Sequence, residues 1–363
     1  MKTMPTFLLA LFLLGPAAAQ ELPSEMLADK HLLEAVAAIE NGNPQQALEI
    51  FEVIEALDVE APAMFAWHYG RALVEHGTEP EAWRKGRSLL ARFAIGAGRD
   101  SEHYSPALEM ILAAEARLEA AERLARIKLR LPAILLEVDA DLVRVEGGTF
   151  TMGCTPEQLD CDSDESPTRE VRVDAFELGR YEVTQELWEA VMGENPSTFG
   201  NCLRCPVETV NWDDVQAFLH KLNVEGGTYR LPSEAEWELA ARGGHLSAAH
   251  AYAGSGDWAA VAWYEENSGN RTRPVGKKPA NELGLFDMSG NTREWVQDCW
   301  HGSYAGAPDD ARPWEEEDCR RRVIRGGSWS GKASDVRTAN RFWSPHYFRN
   351  NNLGFRLART VVE

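Results

Sequence analysis

Six cysteines are the residues of this chain best equipped for chemistry: Cys154, Cys161, Cys202, Cys205, Cys299 and Cys319. Thiols bind soft metals, exchange disulfides or cross-link a fold, and spacing and compartment decide which. The first twenty residues read as a signal peptide. Lys2 supplies the positive region, Phe7–Leu14 the apolar stretch, and Ala17-Ala18-Ala19 a small-residue cleavage site before Gln20. An even number of cysteines in an exported chain points to disulfides, and proximity favours Cys154–Cys161, Cys202–Cys205 and Cys299–Cys319. Cys202-Leu-Arg-Cys205 also has the spacing of a redox pair. Pro206 and a strand-like Val207–Trp212 follow it, however, where a thioredoxin-type site opens a helix that lowers the thiol pKa. It reads as a loop staple. No second ligand pair stands at zinc-finger spacing. The acidic loops Glu157–Glu165 and Glu315–Asp318 read as solvated surface, since Asp162-Ser-Asp164 lacks the rest of an EF-hand pattern. No Ser-His-Asp set or nucleotide loop emerges, and His346 is a lone acid/base candidate in a loop.

The elements that must position these residues have two textures. At 363 residues the chain exceeds one ordinary domain, and with 44% apolar residues, 12 Trp and 13 Phe it can bury large cores. A formal charge of −20 argues against nucleic acid or an anionic membrane as partner. Arg320-Arg321-Arg322, the only short basic run, reads as a solvated strand entry. No segment is apolar over the roughly 18 residues a membrane helix needs, and no lipid-attachment cysteine follows the cleavage site. The mature protein is therefore expected to be soluble, not membrane-spanning, and periplasmic or secreted.

Residues 21–138 are expected to form an all-α domain of helical hairpins. His31–Glu40, Pro44–Leu57, Ala63–Glu75, Glu81–Ala94 and Ser105–Ile127 carry apolar residues at helical spacing, and Asn41-Gly42-Asn43-Pro44 stops one helix and starts the next. The pattern at 42–51 resembles the turn and second helix of a tetratricopeptide repeat; a plain small bundle fits equally. Either would dock a protein partner or act as a spacer. Leu131–Ala140 reads as an apolar, Pro-containing joint. Short strands, Gly, Trp and polar loops follow, which places a second domain at 139–363. Within it Tyr229-Arg-Leu-Pro-Ser-Glu reads as a strand stopped by Pro232, then a helix capped by Ser233 with Glu236 as box partner. Glu186–Met192 and Asp213–Leu222 read as further helices, the second capped by Asp213 or Asn211.

Seven blocks mark this second domain in order. They are Val143-Arg-Val-Glu-Gly-Gly-Thr-Phe-Thr-Met-Gly153, Phe176-Glu-Leu-Gly-Arg-Tyr-Glu-Val-Thr184, Pro206-Val-Glu-Thr-Val-Asn-Trp212 and Tyr229-Arg-Leu-Pro-Ser-Glu-Ala-Glu-Trp-Glu238. Gly284-Leu-Phe-Asp-Met-Ser-Gly-Asn-Thr-Arg-Glu-Trp295, Arg325-Gly-Gly-Ser-Trp329 and Asn352-Leu-Gly-Phe-Arg356 complete the set. Together they resemble the formylglycine-generating, or sulfatase-modifying factor, family over most of the domain. The resemblance implies an irregular α+β fold related to C-type lectins. It also implies a structural calcium ion held by the Asp287 and Glu294 carboxylates and the Gly290 and Thr292 carbonyls, a hard oxygen set suited to Ca²⁺. The alternative is that Asp287 and Glu294 merely hydrogen-bond a tight turn. The iron-binding His-x-x-x-His-x-Glu signature of relatives that make sulfur-containing histidines is not matched by His31, His68, His76 or His103.

The family's oxidases bind Cu(I) through two thiols just after the Gly-Gly-Ser-aromatic block. Here the first falls at Gly331 and the second within Lys332–Val336, and no cysteine follows Cys319. Soft Cu(I) needs thiolates, so copper and formylglycine formation are not expected. Ser328, Trp329, Arg337, Asn340, Arg341, Trp343, Asn352 and Arg356 occupy the segments that line the family's substrate groove, a composition suited to a peptide or polar ligand. Each arginine could equally pair with a core carboxylate such as Glu236 or Glu294. The expected function is an exported, non-catalytic binding or scaffold protein, with a partner engaged by the groove and the helical region. Two alternatives remain. One is a periplasmic maturation enzyme that oxidises a peptide or siderophore-type substrate without the copper-cysteine mechanism. The other is a variable ligand-binding protein of a diversity-generating retroelement.

Overall fold

A computed structural model describes residues 22–62, 64–224 and 228–361. The signal-peptide reading concerns residues that lie outside these. The chain divides into two compact units, one up to Arg123 and one from Leu124 onward.

The first unit is helical: α1 Ser24–Glu40, α2 Pro44–Glu55, α3 Phe65–His76, α4 Pro80–Ala97 and the start of α5 Tyr104–Ala140. Pro44 and Pro80 open α2 and α4, where a missing N–H costs nothing. Small buried residues let α1 lie against α2, and Phe51 stacks on Tyr69 at 4.9 Å. The expected joint at Leu131–Ala140 is instead continuous helix, with Pro132 inside α5. An interior proline costs about 3 kcal/mol. Ile127 and Ile134 on this stretch are buried in the second unit's core, with Leu131, Leu135 and Val138 packed beside them, and that burial offsets the loss.

The second unit is irregular and mixed. Its strands are β1 Leu142–Val145, β2 Gly148–Met152, β3 Arg169–Val173, β4 Phe176–Gly179, β5 Tyr229–Arg230, β6 Arg293–Cys299, β7 Arg321–Arg325, β8 Arg341–Pro345, β9 Leu353–Phe355 and β10 Ala358–Thr360. One sheet runs β1-β4-β10-β5, β2 and β3 form a hairpin, and a second sheet runs β8-β7-β6-β9 with β6 and β9 parallel. The helices are α6 Gln185–Met192, α7 Trp212–Val224, α8 Glu234–Ala241 and the short α9 Trp258–Val261. Thr184 caps α6, the Asn211 side chain receives the Asp214 N–H ahead of α7, and Ser233 with Glu236 forms the capping box of α8. Trp237 and Trp295 are fully buried, and Trp188 stacks on Phe218 at 5.0 Å.

All three expected disulfides are present: Cys154–Cys161, Cys202–Cys205 and Cys299–Cys319. No free cysteine remains among the described residues. No helix of the described residues is long and apolar enough to cross a membrane.

Candidate functional site

The turn leading into β6 is built from tightly packed backbone. Gly290 has φ +87°, and a Cβ there would lie 2.3 Å from the Trp263 carbonyl oxygen, so only glycine fits. Asn291 then reaches three ways. Its backbone oxygen receives the Trp329 N–H at 2.8 Å, its amide donates to Glu182 at 2.6 Å, and its side-chain oxygen receives the Arg273 N–H at 2.9 Å. The acidic turn and the Gly-Gly-Ser-Trp loop are therefore held together by Asn291 and by the Gly290 N–H, which donates to the Gly326 carbonyl at 2.7 Å.

Beside this turn lie three buried carboxylates, Glu182, Asp287 and Glu294, facing a single buried guanidinium, Arg356. Arg356 donates to both oxygens of Glu294 at 2.6 Å, and Trp237 Nε1 donates to the same group at 2.8 Å. Glu182 accepts the Thr292 N–H and hydroxyl at 2.9 and 2.6 Å. Asp287 accepts only the Gly276 N–H through Oδ2, and its buried Oδ1 has no partner among the described residues. Burial pushes Asp287 up to about 6, against the lowering effect of the Gly276 N–H and Arg356. Glu182 is driven well above the carboxylate range by burial first, then by the charges of Asp287 and Glu294. An excess of buried negative charge with an orphaned carboxylate oxygen is an environment that a hard cation would relieve. Of the set Asp287, Glu294 and the Gly290 and Thr292 carbonyls, Asp287 Oδ1 is the carboxylate oxygen left open to a hard cation, whereas both Glu294 oxygens are taken by Arg356 and Trp237. Glu182 was not singled out from sequence. The only signal was an acidic residue between Tyr181 and Val183 in a block otherwise destined for the core.

The groove candidates separate into two groups. Arg337, Arg341 and Arg356 are each at most 1% exposed, so they do not line a groove. Arg337 grips Glu165 at 2.6 and 2.8 Å, and Arg341 grips Glu234 at 2.8 and 2.7 Å. Arg325 adds a third such pair with Glu238 at 2.5 Å. These arginines bolt α8 and the loop around Glu165 to the second sheet. Burial would raise Glu234, but Arg341 and Arg325 hold it below the usual carboxylate range. Ser328 and Asn340 are also buried. Trp329, Trp343 and Asn352 stay partly exposed. Trp329 Nε1 donates to the Asn351 carbonyl at 2.9 Å, its ring meets the edge of Phe199 at 5.4 Å, and Asn352 donates to Ser330 Oγ at 3.3 Å. Glu208 braces the Phe199 loop by accepting the Phe199 and Thr198 N–H groups. Gly331, at the first thiol position, is tied down by the Ser328 carbonyl and the Glu265 N–H. His346 pairs with Asp213 at 2.8 Å, at the surface.

Asp298 gives this core a pH signature. Its oxygens accept the Glu234 and Trp314 N–H groups at 2.7 and 2.8 Å, and burial, then the Glu234 charge, pushes it up to about 7. An unfolded aspartate titrates near about 3.9. The folded state thus holds an extra proton between those values, and the resulting stabilisation is full below the lower value and lost as pH rises past about 7. Asp298→Asn is expected to flatten the stability profile between about pH 4 and pH 7, where one such proton contributes at most about 1.4 kcal/mol per unit. Urea melts of both proteins across that range check it; parallel profiles would assign the proton elsewhere.

The sequence pattern of the sulfatase-modifying factor enzyme 1-like domain matches residues 136–361. The chaperone protein LppX of Paenibacillus barcinonensis is 35% identical over 60% of this chain and 87% of that protein. PvdO from Pseudomonas aeruginosa superposes with a TM-score of 0.56 at 32% identity, over 61% of this chain and 94% of the other. Treponema denticola variable protein 1 superposes with a TM-score of 0.54 at 30% identity, over 61% and 95%. With seven ordered motifs, the α+β lectin-like architecture and a match over most of its length, this chain belongs to the sulfatase-modifying factor enzyme 1-like family.

Proposed function

We propose that this protein is an exported, non-catalytic binding or scaffold member of its family, its lectin-like unit stabilised by calcium. The observation that carries the reading is a frame kept without its thiols. Buried ion pairs, the acidic turn and the Gly-Gly-Ser-Trp loop are in place, while Gly331 stands at the first thiol position and all six cysteines are in disulfides. A domain so braced presents a preorganised surface at Trp329, Trp343 and Asn352, where stacking and amide hydrogen bonds suit a peptide segment. The likeness to a protein named as a chaperone and to a variable protein supports recognition over oxidation. Asp287, Glu294 and the Gly290 and Thr292 carbonyls would hold the calcium ion, which supplies positive charge among buried carboxylates and fixes the turn that positions Trp329. The helical unit, with its tetratricopeptide-like hairpins, is the second docking element. Removal of the first twenty residues on secretion, read by N-terminal sequencing of the mature protein, tests the export part.

Binding is tested on an array of peptides of defined sequence, probed with the calcium-loaded protein. The proposal expects a consistent subset to bind and Trp329→Ala to lose it while the melting midpoint is retained. Uniform absence of binding would overturn it.

A further inference from the structure

Four core arginines of the second sheet region each have a carboxylate in contact: Arg325 has Glu238 at 2.5 Å, Arg337 has Glu165 at 2.6 Å, Arg341 has Glu234 at 2.7 Å and Arg356 has Glu294 at 2.6 Å. Arg293, at the start of β6, breaks this pattern. Its NH1 is enclosed without a hydrogen-bond partner, and its guanidinium makes no ion pair among the described residues. Its one ring contact is with Phe342, whose centroid lies 5.0 Å away. Asp335 is the one carboxylate whose charge raises it; that group stands beyond ion-pair distance, its Oδ2 accepting the Lys332 N–H at 2.9 Å. Burial holds the Arg293 pKa below its ordinary value, yet a guanidinium stays charged at neutral pH. A partly buried, permanent cation with no carboxylate in contact is an arrangement that proteins otherwise avoid.

We propose that Arg293 is an anion anchor, receiving a carboxylate of a peptide partner whose neighbouring apolar side chain rests on Phe342. This rests on the binding reading above and specifies its chemistry. Phe342 is 51% exposed on β8, the edge strand of its sheet, and the Trp343 ring lies nearly parallel to it at 6.3 Å. Tyr347 and Phe348 extend the same segment as exposed rings, 64% and 44%. One cation beside an aromatic platform matches one carboxylate beside an apolar group, with fork geometry available for a bidentate contact. A chain of charge −20 repels free polyanions on approach, whereas a peptide brings its single charge together with apolar surface. Asn352 supplies a polar rim. Its carbonyl receives the Arg293 N–H at 2.8 Å, and its amide reaches Ser330, next to Trp329.

The test uses the full protein and acetylated aromatic peptides prepared in three forms: free C-terminal acid, C-terminal amide, and amide with an internal glutamate. The acid or the glutamate form should bind about tenfold tighter than the plain amide, and whichever does so identifies the source of the carboxylate. Arg293→Met should bring all three to the amide level, with a melting midpoint unchanged or raised because an unpaired buried charge has gone. A lowered midpoint would show that Arg293 has a structural partner and overturn the anchor. Equal binding of all three forms by wild type, unaffected by Arg293→Met, would also overturn it while leaving the binding reading intact. Should no peptide bind at all, that reading fails, and benzoate titrated against the Arg293 side-chain NMR signal still decides the anchor. A saturable shift of that signal supports it. An unmoved signal, or phenyl phosphate outcompeting benzoate, overturns the carboxylate assignment.

Discussion

Replacing Arg356 with methionine is expected to destabilise the lectin-like unit by about 3–5 kcal/mol, the largest effect of any single substitution considered. Methionine keeps much of the volume but removes the only guanidinium facing Glu182, Asp287 and Glu294. Glu294 would lose two hydrogen bonds of 2.6 Å and keep only the indole N–H of Trp237. The carbonyls of Gly179 and Phe286, each 3.0 Å from an Arg356 nitrogen, would lose their donors as well. Denaturant unfolding of the calcium-free protein measures the cost. A loss under about 1 kcal/mol would mean that the carboxylates are neutral in the folded state and the pair contributes little.

The second large effect is calcium. Binding to the folded state alone stabilises by about 2.7 kcal/mol at a hundredfold excess over Kd, which for a unit of this size raises the melting midpoint by about 5–10 °C. Asp287→Asn is the cleaner probe, because Asp287 accepts one N–H and has an orphaned oxygen, whereas Glu294 also anchors Arg356. The variant should lose most of the calcium-dependent shift, with a calcium-free midpoint equal to or above that of wild type. Magnesium should substitute poorly, since a turn of backbone carbonyls does not readily offer its tight octahedron. Because Asn291 ties this turn to the Trp329 backbone, chelation should also weaken peptide capture. A melt indifferent to calcium and chelator, in protein shown to be metal-free, would leave the turn as plain structure.

Much of the fold was legible because its signals are local. Ser233 and Glu236 are three residues apart, Asn211 and Asp214 likewise, and each disulfide closes a short loop. Pro132 misled for the same reason: a local helix-breaking rule was overridden by the distant core against which Ile127 and Ile134 pack. The groove arginines show where local reading stops. Arg and Trp interleaved in one segment look like a recognition surface, but Glu165 lies 172 positions from Arg337 and Glu234 lies 107 from Arg341. Composition could not separate a guanidinium that already has a carboxylate from one that still lacks it. Arg337, Arg341 and Arg356 each have a carboxylate in contact, whereas Arg293, within Gly284–Trp295, has none among the described residues. Glu182 was hidden similarly, since its partners Asn291 and Thr292 are about a hundred residues downstream.

This domain keeps the family's frame, and we propose that it lacks the family's oxidase activity. The most direct measurement is mass spectrometry of a peptide bearing Cys-x-Pro-x-Arg after incubation with the calcium-loaded protein, Cu(I) and oxygen. With Gly331 at the first thiol position and all six cysteines in disulfides, the peptide cysteine should emerge at the level of the metal-only blank. Conversion to formylglycine above that blank would show that the domain oxidises cysteine without the thiol pair.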